Sequence, residues 1–242
     1  MLFKLTLSSL YARLLTVSMT VFAISLSLML YLSVEKLRSS AYTSFTNTIS
    51  QTDLIVGSRT SSIQLLLYSV FRIGNATNNI TWESYEDIIN RDEIAWSVPI
   101  SLGDSHKGFR VMGTNLEFFE RYKYRSGQSL EIEEGNYFND LYDVVLGYGV
   151  AEKLGYNLDV PLIVSHGLQS FTDHDDQPFK VSGILAKTGT PVDNTVIVSL
   201  EAIEAIHVDW SSGTKIQGQE TPVAQIRKMD LSPKNITAVL IG

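Results

Sequence analysis

The sequence predicts an α+β protein: one N-terminal transmembrane helix followed by a mixed α/β domain. Three observations predict it. Residues 14–34 form a run of 21 with no charge, proline or glycine. Beyond them, strand-like and helix-like segments alternate irregularly, which favours a mixed sheet over a doubly wound one. The 242 residues are 44% hydrophobic and 19% charged, the composition of a folded chain.

The apolar run reads LLTVSMTVFAISLSLMLYLSV, from Leu14 to Val34. As a helix it rises about 1.5 Å per residue and covers the ~30 Å hydrocarbon core. Its serines and threonines can bond back to helix carbonyls. Tyr11 and Tyr31 lie near the two ends, where amphipathic rings favour the interface. A cleaved signal peptide has a shorter apolar core of roughly 7–15 residues. The small triplet Ser39-Ser40-Ala41 also lies beyond the charged Glu35, Lys36 and Arg38. An uncleaved anchor in the lipid bilayer is therefore expected. Charge leaves its orientation open, because Lys4 and Arg13 precede the span while Lys36 and Arg38 follow it.

The helix is expected to continue into water, with Leu37, Ala41, Phe45 and Ile49 making one apolar stripe at four-residue spacing. Asp53 to Gly57 reads as a short strand and Ser61 to Phe71 as a helix, with Ser61 or Ser62 as N-cap. Gly74 to Thr81 is loop-like, and a short amphipathic helix covers Trp82 to Asp92. Ala95–Ser101 and Phe109–Gly113 read as a strand pair joined by a turn over Gly103 to Gly108. Leu116 to Tyr122 is a short helix, Asp143 to Gly147 a buried strand, and Val150 to Leu154 the start of a helix behind it. Pro161–Ser165, Phe179–Ala186 and Thr195–Ser199 read as strands, and Leu200–Val208 as a helix. Asn235 to Gly242 reads as a strand that stops as it finishes, so the domain is expected to be incomplete at its C-terminus.

All 26 acidic residues lie from Glu35 onward, with 17 of the 19 basic ones, so this part has a formal charge of −9. Nucleic acid is excluded as a partner, because neutralising phosphates needs clustered Lys and Arg. With no cysteine there are no disulfides, thiolate nucleophiles or Cys-based metal sites. No P-loop, Gly-x-Ser-x-Gly elbow or His-Glu-x-x-His helix is present, and Ser165 and His166 are strand neighbours that point to opposite faces. No catalytic residue and no cofactor is expected. Gly147-Tyr-Gly149 follows a strand but lacks the third glycine of a dinucleotide loop, so it reads as a plain strand-to-helix turn.

One polar cluster has metal-ligand chemistry: His166, Asp173, His174, Asp175 and Asp176, with His207 and Asp209 as further ligands. Imidazole and carboxylate suit zinc or manganese. The same loop reads as a solvated hairpin turn whose aspartates cap their own backbone, which suits an acidic domain better. Tyr122, Tyr124, Tyr137, Phe138, Tyr142 and Tyr148 form a dense aromatic stretch, expected to be core rather than a groove for peptide or lipid. Asn75-Ala-Thr77, Asn79-Ile-Thr81 and Asn235-Ile-Thr237 match the glycosylation sequon, which would mean nothing if the protein were bacterial.

The order of several pieces bears a family likeness. The membrane helix runs into Asp53-Leu-Ile-Val-Gly57. Then come Phe109-Arg-Val-Met-Gly-Thr-Asn115, Glu134-Gly135-x-x-Phe138 and Asp143-Val-Val-Leu-Gly-Tyr-Gly-Val-Ala-Glu-Lys-Leu-Gly155. Phe179-Lys-Val-Ser-Gly-Ile-Leu185 and Asp193-x-Thr-Val-Ile-Val-Ser-Leu200 complete the series. This order resembles ABC-transporter permeases of the MacB/FtsX/LolC type, in their first membrane helix and periplasmic core domain. The family tends to have glycine where Asp159 stands, so that turn is expected to differ.

The resemblance implies a permease subunit, or its N-terminal portion, in the bacterial inner membrane. It would transmit motion from a separate cytoplasmic ABC ATPase to the periplasm, for export or mechanotransmission. It also implies a second permease subunit, a periplasmic partner protein, three further membrane helices, and no catalytic residues. The expected organisation is a cytoplasmic N-terminus at 1–13, the span at 14–34, a helical stalk at 35–52 and the periplasmic domain at 53–242. The alternative is a bitopic protein whose periplasmic domain binds a ligand or metal. As a sensor it has only about 13 residues before the span, too few for a cytoplasmic output module.

Overall fold

The computed structural model describes residues 8, 11–76, 78–167, 177–211, 214–216 and 221–242. The chain divides into two compact units, residues 1–45 and 46–242.

The first unit is dominated by helix α1, Leu14–Thr48, which extends through its end. Its Leu14–Ser40 portion is long and apolar enough to cross a membrane, and none of it is buried within the chain. Large side chains such as Leu15, Phe22, Leu28 and Tyr31 are exposed all round the helix. A helix apolar on every face has lipid as its natural solvent. Ser18 Oγ donates to Leu15 O and Thr20 Oγ1 to Thr16 O, both at 2.9 Å, so these hydroxyls are satisfied inside the helix.

Ile49 does not continue the expected helical stripe. The helix ends at Thr48, Ser50 N donates to Lys123 O at 2.8 Å, and Gln51 takes φ 63°. Leu37 stays 70% exposed, whereas Ile49, past the helix end, packs on the domain core.

The second unit begins with β1 (Leu54–Gly57), α2 (Ser62–Ser69), β2 (Ile80–Thr81) and α3 (Trp82–Ile89). Next come β3 (Ser97–His106), β4 (Phe109–Thr114), α4 (Glu117–Arg121), β5 (Lys123–Tyr124), β6 (Gln128–Ser129) and β7 (Ile132–Gly135). They are followed by β8 (Asp143–Leu146), α5 (Tyr148–Leu154), β9 (Pro161–Leu162), β10 (Phe179–Leu185), a 3₁₀ turn (Pro191–Asn194), β11 (Thr195–Ser199) and α6 (Leu200–Ile206). The series closes with β12 (Trp210–Ser211), β13 (Thr214–Lys215), α7 (Val223–Ile226), β14 (Asn235–Ile236) and β15 (Ala238–Ile241). Helix starts are capped from the sequence: Ser61, Thr81 and Ser199 hydroxyls accept from the amides of Gln64, Ser84 and Ala202. Each such cap contributes about 1 kcal/mol.

Nine strands form one mixed sheet in the order β1-β15-β3-β4-β11-β8-β10-β7, with β9 against β10. β8 runs parallel to β10 and β4 parallel to β11, while the other pairs are antiparallel. Alternation along the central strands feeds two cores. Val144, Leu146, Val196 and Val198 pack with Val150 of α5 and Ala202 of α6 on one face. Val145, Ile197 and Met112 meet Phe118 and Phe119 of α4 on the other. Strands buried on both faces have no polar side, which explains the unbroken apolar runs at 144–146 and 196–198. β15 lies between β1 and β3, so its four buried residues belong to the sheet interior.

Several local expectations change. The segment expected as a turn at 103–108 is strand as far as His106, because Ser105 pairs with both Arg110 and Ser165. The turn shrinks to Lys107 and Gly108, with φ 46° and 86°, the two-residue type whose twist matches a hairpin. The Pro161 strand keeps regular pairing only through Leu162. The C-terminal strand divides at Thr237, whose hydroxyl accepts from Leu102 N at 2.9 Å.

Asp159, at the turn expected to differ from a glycine turn, takes φ 64°, a left-handed conformation that Asp tolerates better than most residues. The Gly147-Tyr-Gly149 turn is a packing device. A Cβ on Gly147 would stand 2.1 Å from Val192 O, so only glycine lets the 3₁₀ turn lie against the start of α5.

Candidate functional site

Asp104, His166 and His207 converge although 62 and 41 residues separate them along the chain. Asp104 sits where the β3–β4 ladder is interrupted between Leu102 and Ser105. Its neighbour Ser105 exchanges backbone hydrogen bonds with Ser165 at 2.9 and 2.8 Å, and its hydroxyl donates to Gly167 O at 2.5 Å. Those bonds lay residues 165–167 along β3 and carry His166 to Asp104. His207 is the C-cap of α6, a helix held against the sheet by Ala202, Ala205 and Ile206.

The three side chains meet through single atoms. His166 Nδ1 lies 3.2 Å from Asp104 Oδ1 and 3.2 Å from His207 Nε2, and His207 Nε2 lies 3.8 Å from Asp104 Oδ1. Asp104 is 3% exposed, and its Oδ1 makes no well-aligned hydrogen bond. The carboxylate beside it holds the His166 imidazole above the usual histidine range, more strongly than burial pulls it down. The Trp210 ring leans on His166, with centroids 5.3 Å apart. Among the described residues these three form the group that could hold a metal ion.

Two of the candidate residues, His166 and His207, are thus brought together. Asp173, His174, Asp175 and Asp176 lie outside the described residues. Asp209 is engaged elsewhere, accepting from Thr221 N at 2.6 Å and Thr221 Oγ1 at 2.7 Å. Asp104 escaped the sequence reading because Gly103-Asp-Ser-His looks like a solvated turn. The nearby His106 has a structural role, with Nδ1 2.6 Å from Ile163 O and Nε2 2.9 Å from Tyr156 Oη.

The aromatic stretch is largely core: Tyr122, Tyr124, Phe138 and Tyr142 are all buried. On another side of the domain, two adjoining depressions of about 580 and 690 Å³ share Asn115, Leu141 and Glu201 at the ends of β4 and β11.

An apolar helix leading into a nine-stranded mixed sheet defines a membrane-anchored α/β domain. The MacB-like periplasmic core domain matches residues 14–228, and the chain belongs to that family. Such domains are parts of ABC-type transporter permeases, which work with ATPase partners. Among solved structures, the extracellular domain of the noncanonic ABC-type transporter YknZ from Gram-positive bacteria is 16% identical. That match covers 68% of this chain and 73% of the other, with a TM-score of 0.38. The periplasmic region of MacB from Actinobacillus actinomycetemcomitans is 10% identical over 81% of this chain and 76% of the other, with a TM-score of 0.44. No curated protein matches the sequence.

Proposed function

We propose that this chain is the N-terminal portion of a permease subunit that couples a separate cytoplasmic ATPase to movement of a periplasmic domain. In this reading residues 1–13 are cytoplasmic, 14–34 span the inner membrane, 35–52 form the stalk and 53–242 the periplasmic domain. A second permease subunit and a periplasmic partner complete the assembly. The chain performs no catalysis; nucleotide chemistry belongs to the ATPase.

The observation that carries the reading is α1, continuous from Leu14 to Thr48 without a proline or glycine. A helix of this kind has no built-in kink and can carry a displacement from bilayer to water as a rod. Proline inside it removes a hydrogen bond and clashes with the preceding turn, costing ~3 kcal/mol.

Ser40→Pro is therefore expected to abolish transport and ATPase stimulation in vesicles containing the ATPase, while Ser40→Ala leaves both intact. Wild-type coupling in the proline variant overturns the proposal. Because the chain lacks cysteine, single-cysteine variants report orientation directly. Asn90→Cys should react with an impermeant maleimide from the periplasm and Ser8→Cys should not.

A further inference from the structure

We propose that Asp104, His166 and His207 form a binding site for one zinc-class divalent cation. Ligand atoms about 2.0–2.2 Å from a tetrahedral metal stand roughly 3.3–3.6 Å from one another. The three donor atoms here are separated by 3.2, 3.2 and 3.8 Å. They make a triangle of the size of one face of that tetrahedron.

The hydrogen bonding around the triangle points the same way. His207 Nδ1 lies 2.7 Å from Ile203 O, and a carbonyl only accepts. Nδ1 must carry the proton, which leaves Nε2 as the nitrogen that faces the cluster and can ligate a metal. Anchoring the far nitrogen on a backbone carbonyl is how proteins orient metal-binding histidines. Asp104 supplies the complementary signal. A carboxylate oxygen this deeply buried without a well-aligned donor calls for an ion or a water. Its negative charge lowers the cost of placing a cation there.

Two imidazole nitrogens and one carboxylate oxygen suit Zn²⁺ and its transition-metal neighbours, whereas Ca²⁺ and Mg²⁺ take oxygen ligands. The His166 side chain is 36% exposed, so the triangle lies within reach of a cation from solvent. A bound ion would tie β3, the segment after β9 and the end of α6 at one point. The site is independent of the transport reading, since it rests on the domain alone.

The test uses the full chain in detergent, stripped with chelator and titrated with Co²⁺, then Zn²⁺. Four-coordinate Co²⁺ should give visible ligand-field absorption and quench Trp210 emission. Zn²⁺ should displace it and raise the Tm. Asp104→Asn and His207→Gln, checked for native circular dichroism, should each weaken binding about tenfold or more. A wild-type chain that gives no ligand-field signal overturns the proposal, whatever the variants do. Unchanged affinity in both folded variants overturns it as well, by placing the metal elsewhere.

Discussion

Tyr122 donates its phenolic hydrogen to the carbonyl of Thr48, the last residue of the long helix. The bond caps one of the last carbonyls of the helix in a buried setting. Beside it, Ser50 N bonds to Lys123 O and holds the following residues on the β5 strand.

Removing that hydroxyl tests the junction. Tyr122→Phe should lower the unfolding free energy by about 0.5–1.5 kcal/mol, the net contribution of one intramolecular hydrogen bond. Burial pushes the Tyr122 phenol up to about 12. The unfolded chain releases this proton near pH 10, before the folded one does. The contribution is thus full below about pH 10 and lost as pH rises towards 12, by roughly 2–3 kcal/mol in all. Denaturant titrations across that range should show the alkaline loss in wild type and a smaller one in Tyr122→Phe. Equal slopes would refute the assignment.

Gly147 is a steric requirement. In Gly147→Ala the new methyl would meet Val192 O at 2.1 Å and Asp193 O at 2.6 Å, both backbone atoms with little freedom to move. The variant should lose about 1–3 kcal/mol or more through overpacking. Gly103→Ala has open space around its Cβ and negative φ, and should fall within about 0.5 kcal/mol of wild type by denaturant midpoint.

Asp140 and Arg227 form a two-pronged ion pair, with both contacts at 2.7 Å. The Arg227 guanidinium holds the Asp140 carboxyl below the usual carboxylate range. A depressed pKa contributes above the unfolded value near 4 and fades as pH falls through the folded one. Half-exposed as they are, the two should couple by no more than about 1 kcal/mol in a double-mutant cycle with Asp140→Asn and Arg227→Met. That coupling should shrink in high salt and vanish in acid.

Much of the fold was legible because its signals are local. The Leu14–Val34 run announces a membrane span by length and lack of charge. Val144-Val-Leu146 and Val196-Ile-Val198 announce buried strands by their unbroken apolar character, and Ser61 announces a helix start by its chemistry. The misread places share one cause. Gly103 to His106 has turn-like composition yet is strand, since Ser165, 60 residues away, supplies its partner. The helix stops at Thr48 because Tyr122 and Lys123 hold the chain there. Of the candidate site, two histidines were legible as ligand types, but no spacing rule linked either to Asp104.

By itself the sequence determined the membrane span, the acidic character of the domain and the identity of its central strands. Length, charge and side-chain periodicity act between near neighbours, so they can be read in order along the chain. Tertiary structure alone decided the strand order, the end of α1 and the meeting of Asp104 with His166 and His207. Those outcomes depend on which distant backbone groups satisfy one another once the apolar strands are buried together, and one-dimensional order does not contain that choice.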